Sequence, residues 1–167
     1  MNSDCSTRRG FTARLAALFS GVSAAGLFAG SPARAAEDDN PVRKMDYDGR
    51  PANGKQMITP LIVHNGVIYI SGQGANDAGA VQQQDIQTHT DKVMHNVKML
   101  VEHGGGSMDS ILQLNVYLAR LDDYDGMNKV FKSYFPNGGP ARTTIAVAGL
   151  PGRSLLEVNC IAAVTRK

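Results

Sequence analysis

The sequence predicts an α+β domain, a sheet with two helices packed on one of its faces. Three observations predict it. Two segments carry a single apolar stripe at helical spacing. Several short runs alternate or are rich in β-branched residues. An Asn65-Gly66 pair sits between two of those runs, where both residues tolerate the positive φ of a tight hairpin turn.

The elements follow in order from about Met57. "LIVHNGVIYISG" is the hairpin, and Ser71 closes its second strand. "GQGANDAGAVQQQ" is a polar, glycine-rich loop. Asp85 is placed to cap the first helix. That helix carries Ile86, Val93, Val97, Leu100 and Val101 on one stripe and stops at Gly104-Gly105-Gly106. "ILQLNVYLA" alternates, with Leu112, Leu114, Val116 and Leu118 on one face and Gln113, Asn115 and Tyr117 on the other. The second helix covers "DDYDGMNKVFKSYF", capped by Asp122 or Asp123, with Tyr124, Met127, Phe131, Tyr134 and Phe135 as its stripe. Two strands close the chain, Arg142 to Ala148 and Leu155 to Thr165, joined by "GLPGRS"; if they pair directly they form a plain hairpin. The order is ββ-α-β-α-ββ. One sheet face takes both helices. The other is mixed (Gln113, Asn115, Glu157, Asn159, Ile161) and has no helix left to cover it, which predicts burial against other subunits.

Residues 1–35 read as a cleaved leader rather than part of the fold. Arg8-Arg9 in Thr7-Arg8-Arg9-Gly10-Phe11 is a twin-arginine pattern, followed by an apolar stretch and by Ala33-Arg34-Ala35. The apolar stretch is about 15 residues, short of the roughly 20 that a membrane span needs. Residues 36–56 are polar and aperiodic, a linker or N-terminal arm, and residues 57–167 form the domain. The reading places the protein in the periplasm or otherwise outside the cytoplasm, with no membrane attachment after cleavage.

Removing 35 of the 167 residues leaves 132, one domain's worth. The leader takes Arg8, Arg9, Arg14 and Arg34 with it, but only one acid, Asp4. Of 17 basic and 15 acidic residues, 13 and 14 remain, so the formal charge falls from +2 to −1. The basic character belongs to the leader and argues against a nucleic-acid partner. Cys5 also leaves, and Cys160, in an apolar alternating run, reads as a small buried hydrophobe.

Little else in the sequence suggests chemistry. His64, His89, His95 and His103 have no metal-like spacing. The glycine-rich loop lacks the pattern of a phosphate cradle, and no Gly-x-Ser-x-Gly elbow appears. Arg142 and Glu157 remain. An arginine heading an apolar strand offers a planar fork for a carboxylate or phosphate. A glutamate within the last strand is costly unless paired. Their mutual salt bridge is the bland alternative. In a plain hairpin Glu157 lies opposite about Ala146, roughly 13 Å from Arg142. Spacing alone leaves both readings open.

The segments "YISGQ", "HTDKVMHNVKMLVEHGG", "VYLARLDDYDGMNKVFKSYF", "GPARTTIAVAGLP" and "LLEVNCIAAV" together resemble the RidA (YjgF) family of reactive intermediate deaminases, in the family's order, over about Leu61 to Val164. The resemblance implies a chorismate-mutase-like fold, a homotrimer with intersubunit clefts, and hydrolysis of small enamines and imines to 2-keto acids and ammonia. It implies no metal and no organic cofactor. Residue by residue, it implies that Arg142 grips the substrate carboxylate and Glu157 positions or activates water. It gives Ser71, Gly72, Asn128 and Thr144 substrate-binding places in the cleft. One position departs. Ile58 stands where the family commonly has a cleft tyrosine. That departure keeps a second reading in view, a trimer that binds small carboxylates without turning them over.

Overall fold

The structure, a computed structural model, describes residues 41–75 and 85–165. The leader read over residues 1–35, and the part of the glycine-rich loop at 76–84, lie outside the described residues. Six strands and two helices follow in the order β1 (Arg43–Met45), β2 (Leu61–His64), β3 (Val67–Gly74), α1 (Ile86–His103), β4 (Ile111–Leu118), α2 (Tyr124–Phe131), β5 (Ala141–Ala146) and β6 (Leu156–Ala163). They make one sheet in the order β1-β2-β3-β6-β4-β5. The α+β layer arrangement is the one predicted.

The Asn65-Gly66 hairpin forms as expected, with φ of 50° and 74° at the two turn residues. So does α1. Asp85 accepts the Thr88 N–H at 2.8 Å, and that bond holds its carboxyl below the usual range. Val93, Val97, Leu100 and Val101 are fully buried against the sheet, and Ile86 is half-buried beside α2. Gly126 lets the two helices approach: a Cβ there would overlap Ile86 Cγ2.

Five expectations need correction. Within the arm, residues 43–45 pair antiparallel with Leu61–Val63 and extend the sheet. Three residues at an edge are too few to show a period. The closing strands are not a hairpin. β5 runs parallel to β4, and β6 inserts between β3 and β4. A strand reached through a helix is laid parallel to the one before it, and β4-α2-β5 is such a crossover. Leu112 leaves its predicted face. The register slips between Ile111 and Gln113, so Ile111 and Leu114 are buried while Leu112 is 55% exposed. Ser71 does not end its strand: β3 continues to Gly74 through a bulge in which Ser71 and Gly72 oppose Asn159. Finally, Asp123 precedes α2 but does not cap it. Its carboxylate takes the Arg120 guanidinium at 3.2 Å instead.

Leu114, Val116 and Leu118 of β4 face Cys160, Val158 and Leu156 of β6 across the register, and all six are buried. Ile68 and Ile70 of β3 and Met127 and Phe131 of α2 complete that layer. Each such side chain contributes about 1.5–3 kcal/mol on burial. Cys160 is part of this core, and burial pushes its thiol up to about 12. It should therefore resist a thiol-specific reagent in the native protein and react only after denaturant is added. Prompt labelling of the folded protein would contradict the packing.

Candidate active site

Arg142 heads β5, in register with Leu114 on the helix-covered face of the sheet. Its guanidinium lies across α2. The guanidinium carbon sits 4.5 Å from the centre of the Phe131 ring and 5.8 Å from that of Tyr124. Nη2 donates to the Tyr124 hydroxyl at 3.3 Å, and Nη1 reaches Met127 Sδ at 3.9 Å. Among the described residues no carboxylate pairs with it. The arginine is thus held by aromatic faces, which attract a cation but do not neutralise it. Most of its donors remain available to an anion. Asn128 lines the same open groove of about 810 Å³. Thr144 follows Arg142 by two residues on the same face, and its buried Oγ1 has no hydrogen-bond partner among the described residues. Thr144 thus places an orphaned, buried hydroxyl on the strand face that also carries the unneutralised arginine.

Glu157 stands on the other face. Its register partner in β4 is Tyr117, and the neighbouring outer pair is Asn115 and Asn159, joined side chain to side chain at 3.0 Å. Its half-buried carboxylate has no hydrogen-bond or ion-pair partner among the described residues. It packs directly on the Gly72 backbone. A Cβ at Gly72 would run into the carboxylate, with Cδ only 2.8 Å away. The Ser71-Gly72 bulge therefore makes the space that Glu157 occupies. Gln73, buried, steadies the bulge by donating from Nε2 to Ser71 O at 3.0 Å and Ser71 Oγ at 3.2 Å. Substituting Gly72 with alanine should displace the carboxylate and, where Glu157 acts as the family resemblance implies, lower turnover about tenfold or more. Turnover unchanged in Gly72→Ala would separate Glu157 from the chemistry.

The six candidate residues thus form two clusters, not one. Arg142, Thr144 and Asn128 gather on the helix side, and Ser71, Gly72 and Glu157 at the bulge on the uncovered side. Within one chain the sheet stands between Arg142 and Glu157. No intrachain salt bridge joins them, and the reason is not the 13 Å of a hairpin but opposite faces of one sheet.

Tyr124 and Phe131 were legible only as core stripe residues, yet they are what holds Arg142. The spacing that put them on one stripe also put them under whatever strand crosses α2. Gln73 gave no signal in the sequence. Ile58 is 63% exposed and lines a small concavity of about 170 Å³ with Tyr47 and Gln56, so Tyr47 lies close to it in space despite being eleven positions away in the chain. His89 is buried and its Nδ1 accepts the Leu155 N–H at 3.2 Å, a structural role.

Comparisons with known proteins agree with this architecture. The family model described as endoribonuclease L-PSP matches residues 55–164. A RutC family protein of Pyrococcus abyssi is 35% identical over 97 residues, 57% of this chain and 76% of that one. The chloroplastic Reactive Intermediate Deaminase A of Arabidopsis thaliana is 29% identical over 100 residues, 59% of this chain and 54% of that one. Among solved structures, a putative endoribonuclease L-PSP from Entamoeba histolytica superposes with a TM-score of 0.65 at 30% identity, covering 74% of this chain and 99% of that one. RidA from an Antarctic Psychrobacter gives 0.63 at 27% identity, covering 73% and 99%. The sheet, its two helices and the matched span together make this chain a member of the endoribonuclease L-PSP family, the family of RidA, YjgF and RutC proteins.

Proposed function

We propose that this protein is an exported homotrimeric deaminase that hydrolyses small 2-imino and 2-enamino acids to 2-keto acids and ammonia. The observation that carries the reading is the bare pair, an unneutralised Arg142 and an unpartnered Glu157, on opposite faces of one sheet. Each lacks what the other offers. A neighbouring subunit docked on the uncovered face would bring one chain's Arg142 to the next chain's Glu157. That face is apolar enough to be an interface. Tyr69 and Ile145 lie on it, 45% and 47% exposed, with Tyr117 and Ile161 between them. The relative named a deaminase and the solved RidA structure support the same chemistry.

The reaction needs little from the protein. Arg142 grips the substrate carboxylate bidentately, with Thr144 and Asn128 beside it. An enamine first takes a proton at its terminal carbon to become the iminium. Its carbon is already electrophilic, so capture and orientation do much of the work. Glu157 holds a water against that carbon and takes one of its protons as the C–O bond forms. The proton passes to the nitrogen of the carbinolamine; the carboxylate then takes the remaining hydroxyl proton as the carbonyl forms, the C–N bond breaks and ammonia departs. Water supplies the oxygen, and no electron is exchanged.

The test uses imines generated in place by an amino-acid oxidase. The purified protein should speed their conversion to keto acid. No acceleration with several imino acids overturns the enzyme reading. One observation favours a second reading, a trimer that only binds small carboxylates: the apolar Ile58 at the position of the usual tyrosine. Calorimetry with 2-ketobutyrate beside the rate assay separates the two. Export follows from the twin-arginine leader, and a mature protein beginning at Ala36 outside the cytoplasm is its expected product.

A further inference from the structure

The groove that holds Arg142 carries more positive charge than one carboxylate requires. Residues 124, 127 and 131 of α2 form the stripe beneath the guanidinium. The next stripe, Asp125, Asn128 and Lys129 of the same helix with Lys132 just past its end, lines the groove beside it. Among the described residues neither lysine has an ion-pair partner. Arg142 and the two lysines against Asp125 leave a local formal charge of +2. After removal of the leader the remaining chain carries −1, so this is a local feature and not the by-product of a basic protein.

From this juxtaposition we infer that the preferred substrates are 2-imino dicarboxylates, with Lys129 and Lys132 as specificity-determining residues for a second, distal carboxylate. The inference rests on the deaminase reading of the same groove. Two carboxylates separated by one or two methylenes lie roughly 4–5 Å apart, from carbon–carbon bonds of about 1.5 Å. A flexible four-carbon lysine stem beside the guanidinium spans such a gap readily. The groove, about 810 Å³ in volume, has room for the longer acid. Asp125 at the N-terminal end of the stripe repels the distal carboxylate and directs it toward Lys129 and Lys132. A monocarboxylate substrate would use Arg142 alone and gain nothing from the lysines.

The experiment compares kcat/KM for the imines of glutamate and alanine in wild type, Lys129→Gln/Lys132→Gln and Lys129→Glu/Lys132→Glu. A second arm measures binding of 2-oxoglutarate and 2-oxobutyrate by calorimetry on the same proteins. Wild type should favour the dicarboxylate about three- to tenfold, the range expected of two exposed charges. The Gln variant should lose that preference and the Glu variant invert it. Added salt should erode it in wild type. A dicarboxylate-to-monocarboxylate ratio that the variants leave unchanged in both arms overturns the inference. If no imine is turned over, the deaminase reading falls, and the calorimetric ratio still decides this one.

Discussion

Replacing Arg142 by alanine is expected to lower kcat/KM for imine hydrolysis about thirtyfold or more. The ligand carboxylate would lose a charge-assisted, bidentate contact in a partly desolvated cleft, which costs about 2–5 kcal/mol. Lysine should rescue little, because a point charge on a flexible stem does not reproduce the fork that Phe131 and Tyr124 hold in place. The folded state should barely notice. Arg142 has no ion pair among the described residues, and its stacking on the buried Phe131 ring and the exposed Tyr124 ring contributes about 0.5–2 kcal/mol. Activity measured with Arg142→Ala and Arg142→Lys, beside thermal melts, checks both halves. A large loss of stability with activity per folded molecule intact would assign the arginine to structure.

Glu157→Gln is expected to reduce kcat by about 10²–10⁴, the usual contribution of a positioned general base, with KM changed much less. The stability change should run in the opposite direction. A half-buried carboxylate without a partner is unfavourable, and glutamine of nearly the same shape removes the charge. The variant should melt no lower than wild type. Such an inactive, equally or more stable protein is the signature of a residue kept for function at the expense of the fold. If Glu157→Gln melts lower while turning over normally, the carboxylate is a structural group.

Much of the architecture was legible because local chemistry agreed with tertiary need. α1 is the clearest case: Asp85 caps it, its stripe packs inward, and three glycines end it. The hairpin at Asn65-Gly66 was equally plain. What failed were features set by distant partners. Two strands joined by a short loop suggest a hairpin, but β5 pairs parallel with β4 across the α2 crossover, and β6 inserts between β3 and β4. Leu112 was assigned by strict alternation, which a bulge breaks without any mark in the residues themselves. Asp123 looked like a cap until Arg120 claimed its carboxylate.

The site followed the same division. Arg142 and Glu157 stood out as charges in apolar strands, and their chemistry could be named from the side chains. The roles implied for them come from family resemblance, not from spacing. Spacing leaves an intrachain bridge between them open, and the separation of roughly 13 Å holds only for a hairpin that the chain does not form. Only strand register shows that they point to opposite sides of the sheet. Ser71 and Gly72 were invisible as a bulge, since a serine after an apolar run reads as a strand end. Tyr124 and Phe131 hid in a core stripe.

The proposed cooperation of one subunit's Arg142 with another subunit's Glu157 is tested most directly by mixed oligomers. Arg142→Ala and Glu157→Ala proteins, each inactive alone, are unfolded together, refolded at equal amounts, and assayed beside either parent treated alike. In a cyclic trimer any mixed assembly contains one interface with both intact residues, so roughly a quarter of wild-type activity should return. Activity no greater than that of either parent, in a sample whose mixed trimers are verified by mass, would contradict the claim.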